Sequence, residues 1–191
     1  MAPSEQHPDI DLSAEKLELL EYLLAEEGIG VPQLAAILRR SDAGPAPLSF
    51  AQIRLWFLDR WQPGAPVYHV VSTLRLEGEL DAGALERSLG EIVRRHEILR
   101  TTFRELGNEP VQEVAPEAPA RLPVVDLAGL TAAARSSEAE RVAGREARRP
   151  FDLVRGPLWR PLLLRLAPGE HTLFFALHHI LADGWSMGVM V

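Results

Sequence analysis

Two apolar runs near the C-terminal end constrain this chain more than any other feature. Leu158 to Leu166 and His171 to His178 flank Ala167-Pro168-Gly169-Glu170, where Pro and Gly stand as a type II turn requires. That arrangement predicts a hairpin, and the unbroken run Leu173-Phe174-Phe175-Ala176-Leu177 predicts that its second strand is buried. The strand stops at His178-His179-Ile180-Leu181-Ala182-Asp183-Gly184. Two imidazoles therefore emerge where a core strand ends and a loop begins. Gly184, five residues after His179, lets the backbone turn tightly or approach a ligand closely. A neutral imidazole at the mouth of a rigid strand can take up a proton, or hydrogen-bond a nucleophile, near neutral pH. The competing reading is a surface turn with two incidental histidines. His-His-x-x-x-Asp-Gly standing as one unit at a strand end favours a functional site.

The rest of the chain supplies the scaffold. Residues 1–12 are polar and predict disorder. Leu17, Leu20, Leu23 and Leu24 after the cap Ser13, then Leu34, Ile37 and Leu38 after Pro32, predict a helical hairpin. Residues 42–47 read as a linker. Ser49 caps a predicted core helix with Ile53, Trp56 and Phe57 on one face. Val67 to Glu77 reads as a strand, and Asp81 caps a helix from Ala82 to about Arg95 with Leu85, Leu89, Ile92 and Val93 inward. Ile98 to Phe103 reads as a strand, Gly107-Asn108 as a hairpin turn, Val111 to Val114 as the return and Leu122 to Asp126 as another short strand. Thr131 to Arg149 reads as a helix whose arginines form a solvated face. Strands and helices mix without regular alternation, so the fold class is α+β: a mixed sheet flanked by helices, with an N-terminal helical hairpin. Residues 1–45 form an acidic helical extension and linker, and 46–191 the main domain.

Charge narrows the choice of partner. Residues 1–45 hold nine acidic residues against three basic ones, so all but one of the seven net negative charges sit there. The remainder is almost neutral, which gives nucleic-acid binding no electrostatic support. No apolar run reaches the length of a membrane span. The chain has no cysteine, which excludes disulfides, thiolate metal sites and a Cys nucleophile, and suits the cytoplasm. No third ligand accompanies the histidine pair, so no metal site is read there.

Three stretches carry a family resemblance over roughly residues 46–191. His178-His179-x-x-x-Asp183-Gly184-Trp185-Ser186, Ser49-x-Ala51-Gln52-x-Arg54-Leu55-Trp56-x-Leu58 and Arg95-His96-Glu97-x-Leu99-Arg100-Thr101-x-Phe103 resemble the signatures of nonribosomal peptide synthetase condensation domains. These belong to the chloramphenicol-acetyltransferase-like superfamily. The continuation Asp-Gly-Trp-Ser resembles the peptide-bond-forming branch, and leans toward an L-donor, L-acceptor type. Pro150-Phe151-Asp152-Leu153 and Gly156-Pro157-Leu158 also resemble the family.

The resemblance implies one lobe of a two-lobed acyltransferase, with the C-terminal lobe missing. It implies an upstream donor and a downstream acceptor peptidyl carrier protein as partners. The substrates ride on phosphopantetheine of those carriers, and no cofactor is bound directly. His179 is implied as catalytic. His178 would orient or pack beside it, and Asp183 would hold the loop as the ion-pair partner of an arginine within residues 46–191 or in the missing lobe, so that its removal injures folding. Gly184 would give the backbone room beside the thioester, with Trp185 supporting the motif. His96 and Arg100, with Glu97, are implied in a structural polar network. The 191-residue chain alone is expected to fold but not to catalyse. Two alternatives stand beside this reading: a carrier-docking module without catalysis, and a related acyltransferase with a coenzyme A donor.

Overall fold

A computed structural model describes residues 44–116, 120–183 and Ser186, together with Leu19, Tyr22 and Leu23. The chain divides into two compact units, Met1–Asp42 and Ala43–Val191. In the first, Leu19, Tyr22 and Leu23 are helical and exposed. The expected N-terminal disorder and the two-helix hairpin otherwise lie outside the described residues.

The second unit is α+β. Its elements run β1 (Ala46–Pro47), α1 (Phe50–Trp61), β2 (His69–Glu77), α2 (Ala82–Arg95), β3 (Thr101–Leu106), β4 (Glu109–Val114), β5 (Val124–Asp126), α3 (Ala132–Arg148), β6 (Trp159–Ala167) and β7 (Glu170–His178). The strands divide into two sheets. One is three-stranded, in the order β1-β4-β3, and the other four-stranded, in the order β2-β7-β6-β5. In the larger sheet β7 is antiparallel to both neighbours, while β5 joins β6 in parallel, so that sheet is mixed.

The predicted C-terminal hairpin is the centre of this sheet. Gly169 has φ +72°, the left-handed value its turn position demands. With β2 on one side and β6 on the other, β7 has no free edge. Leu173, Phe174, Phe175, Ala176, Leu177 and His178 are all buried, which is why the run carries no polar alternation. Leu89 and Val93 of α2 and Val142 of α3 join the same core.

Three expectations shift. The segment predicted as one strand from Ile98 opens instead with a 3₁₀ turn, Glu97–Arg100, before β3. A backbone bond from Leu99 N–H to the His96 carbonyl and the Thr101 hydroxyl on the Glu97 carbonyl (2.8 Å) close that turn, outweighing β propensity. The strand predicted from Val67 begins two residues later, because Pro66–Tyr68 form another 3₁₀ turn.

The largest correction concerns α1. Ser49 caps it in a full capping box with Gln52, as its sequence demands. Yet no residue of α1 is fully buried. Leu55 and Trp56 pack against the core, whereas Phe50 (95% exposed), Ile53, Phe57 and Trp61 form a stripe facing solvent. The helix is apolar on two sides, so periodicity alone picks out a face without saying what covers it.

Candidate active site

The site grows from the last residue of β7. A strand places successive side chains on opposite faces. His178 still belongs to the ladder, with its N–H on the Leu158 carbonyl (2.9 Å) and its Cα in register with His69 of β2. His179, one residue on, donates its N–H to the Tyr68 carbonyl (2.8 Å). The loop then closes on itself. Leu181 N–H bonds to the His178 carbonyl (3.0 Å) and Ala182 N–H to the His179 carbonyl (3.3 Å). Ile180, Leu181 and Ala182 are buried, so the loop is anchored by apolar side chains as well as by backbone bonds.

The two imidazoles lie in different environments. His178 is 1% exposed and sits among the rings of Tyr68, His69 and Phe151, with centroids 6.2–6.4 Å away. Its Nδ1 accepts the Ile180 N–H at 3.1 Å. Burial, reinforced by the nearby His69 and His179, lowers its pKa to about 4. His178 is therefore neutral at physiological pH, with Nδ1 acting as an acceptor and the hydrogen on Nε2. His179 is exposed. An accessible imidazole on a loop this firmly wired can take up and return a proton at a fixed position, which is what general acid–base chemistry requires.

Asp183 makes its bonds at the far end of the loop. Its Oδ1 accepts the Ser186 N–H (2.9 Å) and the Ser186 hydroxyl (2.6 Å), the geometry of a helix cap, and the residue is exposed. Those bonds keep its carboxyl below the ordinary carboxylate range. Among the described residues no arginine pairs with it. Gly184 and Trp185 lie outside the described residues. The expected His96–Arg100 network forms only in part. Arg100 pairs with Glu97 (3.5 Å) and donates to the Ala115 carbonyl, but His96 is exposed and contributes its backbone, as the cap between α2 and the 3₁₀ turn.

Sequence reasoning misses the residues beneath the loop. His69 donates Nδ1–H to the Ala147 carbonyl near the end of α3 (2.8 Å) and meets Phe151 edge-on at 4.8 Å. Arg160 of β6 lies 3.6 Å over the Phe151 ring and donates to the carbonyls of Glu146, Arg149 and Pro150, closing the C-terminal end of α3. Burial, with a smaller contribution from Arg149, lowers the Arg160 pKa to about 10, so it stays charged. A 420 Å³ cavity beside it, with Arg121, Arg145, Val142 and Trp159 in its walls, includes neither motif histidine. Only the β2–β7 register, which joins residues about a hundred apart, brings His69 to this place.

The family profile of the condensation domain matches residues 42–191. This chain belongs to the condensation-domain family. It is 48% identical over 157 residues to a linear gramicidin synthase of Brevibacillus parabrevis, a match that covers 82% of this chain and 3% of that protein. It is 44% identical over 179 residues to phosphinothricin tripeptide synthetase PhsC of Streptomyces viridochromogenes, covering 94% of this chain and 16% of the relative. The chain thus spans a small part of the synthetases it matches. Among solved structures, the first condensation domain of the CDA synthetase superposes with a TM-score of 0.70 at 27% identity, covering 77% of this chain and 37% of that one. A starter condensation domain of the rhizomide synthetase RzmA, solved in complex with C8-CoA, superposes at 0.67 and 27% identity, covering 74% of this chain and 32% of that one. The α+β condensation-domain fold read from the sequence is the fold of this chain.

Proposed function

We propose that residues 46–191 are the histidine-bearing lobe of an amide-forming condensation domain. The acceptor amine, held on the phosphopantetheine of a downstream carrier protein, attacks the thioester carbonyl of a donor acyl group on an upstream carrier. The C–N bond forms, the C–S bond breaks, and the donor carrier leaves as a thiol. An α-amine with a reference pKa near ~8 is in part already neutral at pH 7, so activation before attack is a light demand. The heavier demand follows attack, when the intermediate holds N⁺ and O⁻ together. His179 positions the amine, takes its proton and passes it to the departing sulfur. His178 holds the loop, Asp183 fixes its far end, and Gly184 leaves the thioester room.

The observation that carries this reading is the division between the adjacent histidines, one buried and neutral, the other exposed on a loop fixed by backbone bonds. A C-terminal lobe opposite this face, two carrier partners and a cytoplasmic setting belong to the same proposal. The cysteine-free sequence supports that setting. The C8-CoA complex of the rhizomide relative favours one second reading, a coenzyme A donor in place of the carrier-bound one. The test uses the complete protein with a carrier-loaded aminoacyl acceptor and either a carrier-loaded or a coenzyme A-linked donor. Amide formation from the carrier-loaded donor, lost in His179→Ala, supports the proposal. Amide formation from the coenzyme A donor alone favours the second reading, and activity unaffected by His179→Ala contradicts both.

A further inference from the structure

His69 is a third histidine in the cluster, and its hydrogen-bonding pattern complements that of His178. Its Nδ1 lies 2.8 Å from the Ala147 carbonyl oxygen, which can only accept, so the ring hydrogen of neutral His69 is on Nδ1 and Nε2 is a bare acceptor. The Nδ1 of His178 accepts the Ile180 N–H, so its hydrogen is on Nε2. Both Nε2 atoms are buried, and neither has a partner among the described residues. A buried polar atom left unpaired is costly, which favours an arrangement that satisfies both. The two residues are register partners across β2 and β7, and their rings are 6.2 Å apart, centroid to centroid. One orphan is a donor and the other an acceptor.

We propose that His69 and His178 form a pair of fixed tautomers, with His178 Nε2–H donating to one enclosed water that in turn donates to His69 Nε2, and that His69 thereby acts as a positioning residue for the loop that carries His179. The linkage runs from the Ala147 carbonyl through His69 and His178 to the Ile180 N–H, and so ties α3 to the turn that aims His179. Phe151, edge-on to both rings and covered by Arg160, walls the pair. The consequence for catalysis rests on the reading of His179 given above, whereas the tautomers do not.

The experiment therefore has two arms. In the 191-residue chain with ¹⁵N-labelled histidine, correlations across each imidazole report its tautomer. His178 is expected as Nε2–H and His69 as Nδ1–H, each a single tautomer. His69→Gln places an amide oxygen where Nε2 stood, and His69→Asn keeps a donor for Ala147 but no acceptor there. The Gln variant is expected to preserve the His178 signature, and the Asn variant to shift it and speed exchange of its Nε2–H. His178 as Nδ1–H in the wild-type chain overturns the pairing even if neither variant folds. Identical His178 spectra in the two variants overturn it as well. In the complete protein, His69→Asn is expected to lower kcat on the order of ten- to a hundredfold at unchanged KM, with a smaller loss in His69→Gln, which keeps the acceptor for His178 and gives up the bond to Ala147. Equal kcat in the two variants overturns the positioning role. An inactive wild-type protein would instead sink the condensation reading and leave the tautomer result standing.

Discussion

The two sides of the loop after β7 are one residue apart in sequence and far apart in physical character. On the inner side His178 is 1% exposed, neutral, and enclosed by aromatic rings. On the outer side His179 is exposed and, among the described residues, held through its backbone. The inner imidazole cannot ionise cheaply, so it serves as a rigid acceptor for the loop. The outer one is open to solvent. The contrast teaches that two adjacent histidines at a strand end can fall in opposite environments, as side chains on opposite faces of the backbone do, and the proposed division of labour rests on that difference.

The sharpest way to break this contrast is His179→Ala in the complete protein. Condensation is expected to fall by about 10²–10⁴-fold, the usual worth of a positioned acid–base group, with the melting temperature unchanged. Loss of folding instead would put His179 on the structural side. His178→Ala reverses the pattern. It leaves the Ile180 N–H without its acceptor and opens a cavity, so a stability loss of roughly 2–4 kcal/mol by denaturant unfolding is expected, with a smaller loss of rate per folded molecule than for His179→Ala.

Acid should sharpen the contrast further. The folded-state pKa of His178, about 4, lies below the unfolded value near ~6.5, so the unfolded chain binds the extra proton first. The stabilising contribution is complete above pH ~6.5 and is lost as pH falls toward 4, amounting to about 3 kcal/mol over the window. Unfolding curves at several pH values should show this slope in the wild-type chain and a flatter one in His178→Phe. Equal slopes would mean His178 is not the group responsible.

Asp183→Ala is expected to lower the melting temperature of this chain less than His178→Ala, because its carboxylate is exposed and bonds to Ser186. A loss as large as that of His178→Ala would point to a further partner. The smallest effect belongs to the α1 stripe. Phe50→Glu with Phe57→Glu should change the stability of this chain by no more than about 0.5 kcal/mol, since both side chains are exposed. A large loss would show that the stripe is packed.

Local patterns make much of this legible. The β6–β7 hairpin, its turn and the three capped helices follow from residues close together in sequence, and the motif histidines fall where a buried strand stops. The residues that differentiate those histidines cannot be read in the same way. His69 reaches His178 only through the β2–β7 register, and Arg160 reaches Phe151 only by bridging the end of α3 to β6. The exposed stripe of α1 escapes for a related reason. Periodicity shows that a face is apolar, while burial depends on what packs against it.

Chemical rescue tests the division of labour most directly. In the complete protein, His179→Ala leaves an open, solvent-facing gap where a small base can enter, whereas His178→Ala leaves a gap enclosed by Tyr68, His69 and Phe151. Added imidazole is expected to restore measurable condensation to His179→Ala, rising with imidazole concentration and with the fraction of it that is unprotonated, and to leave His178→Ala unchanged. Restoration of His178→Ala but not of His179→Ala would contradict the account.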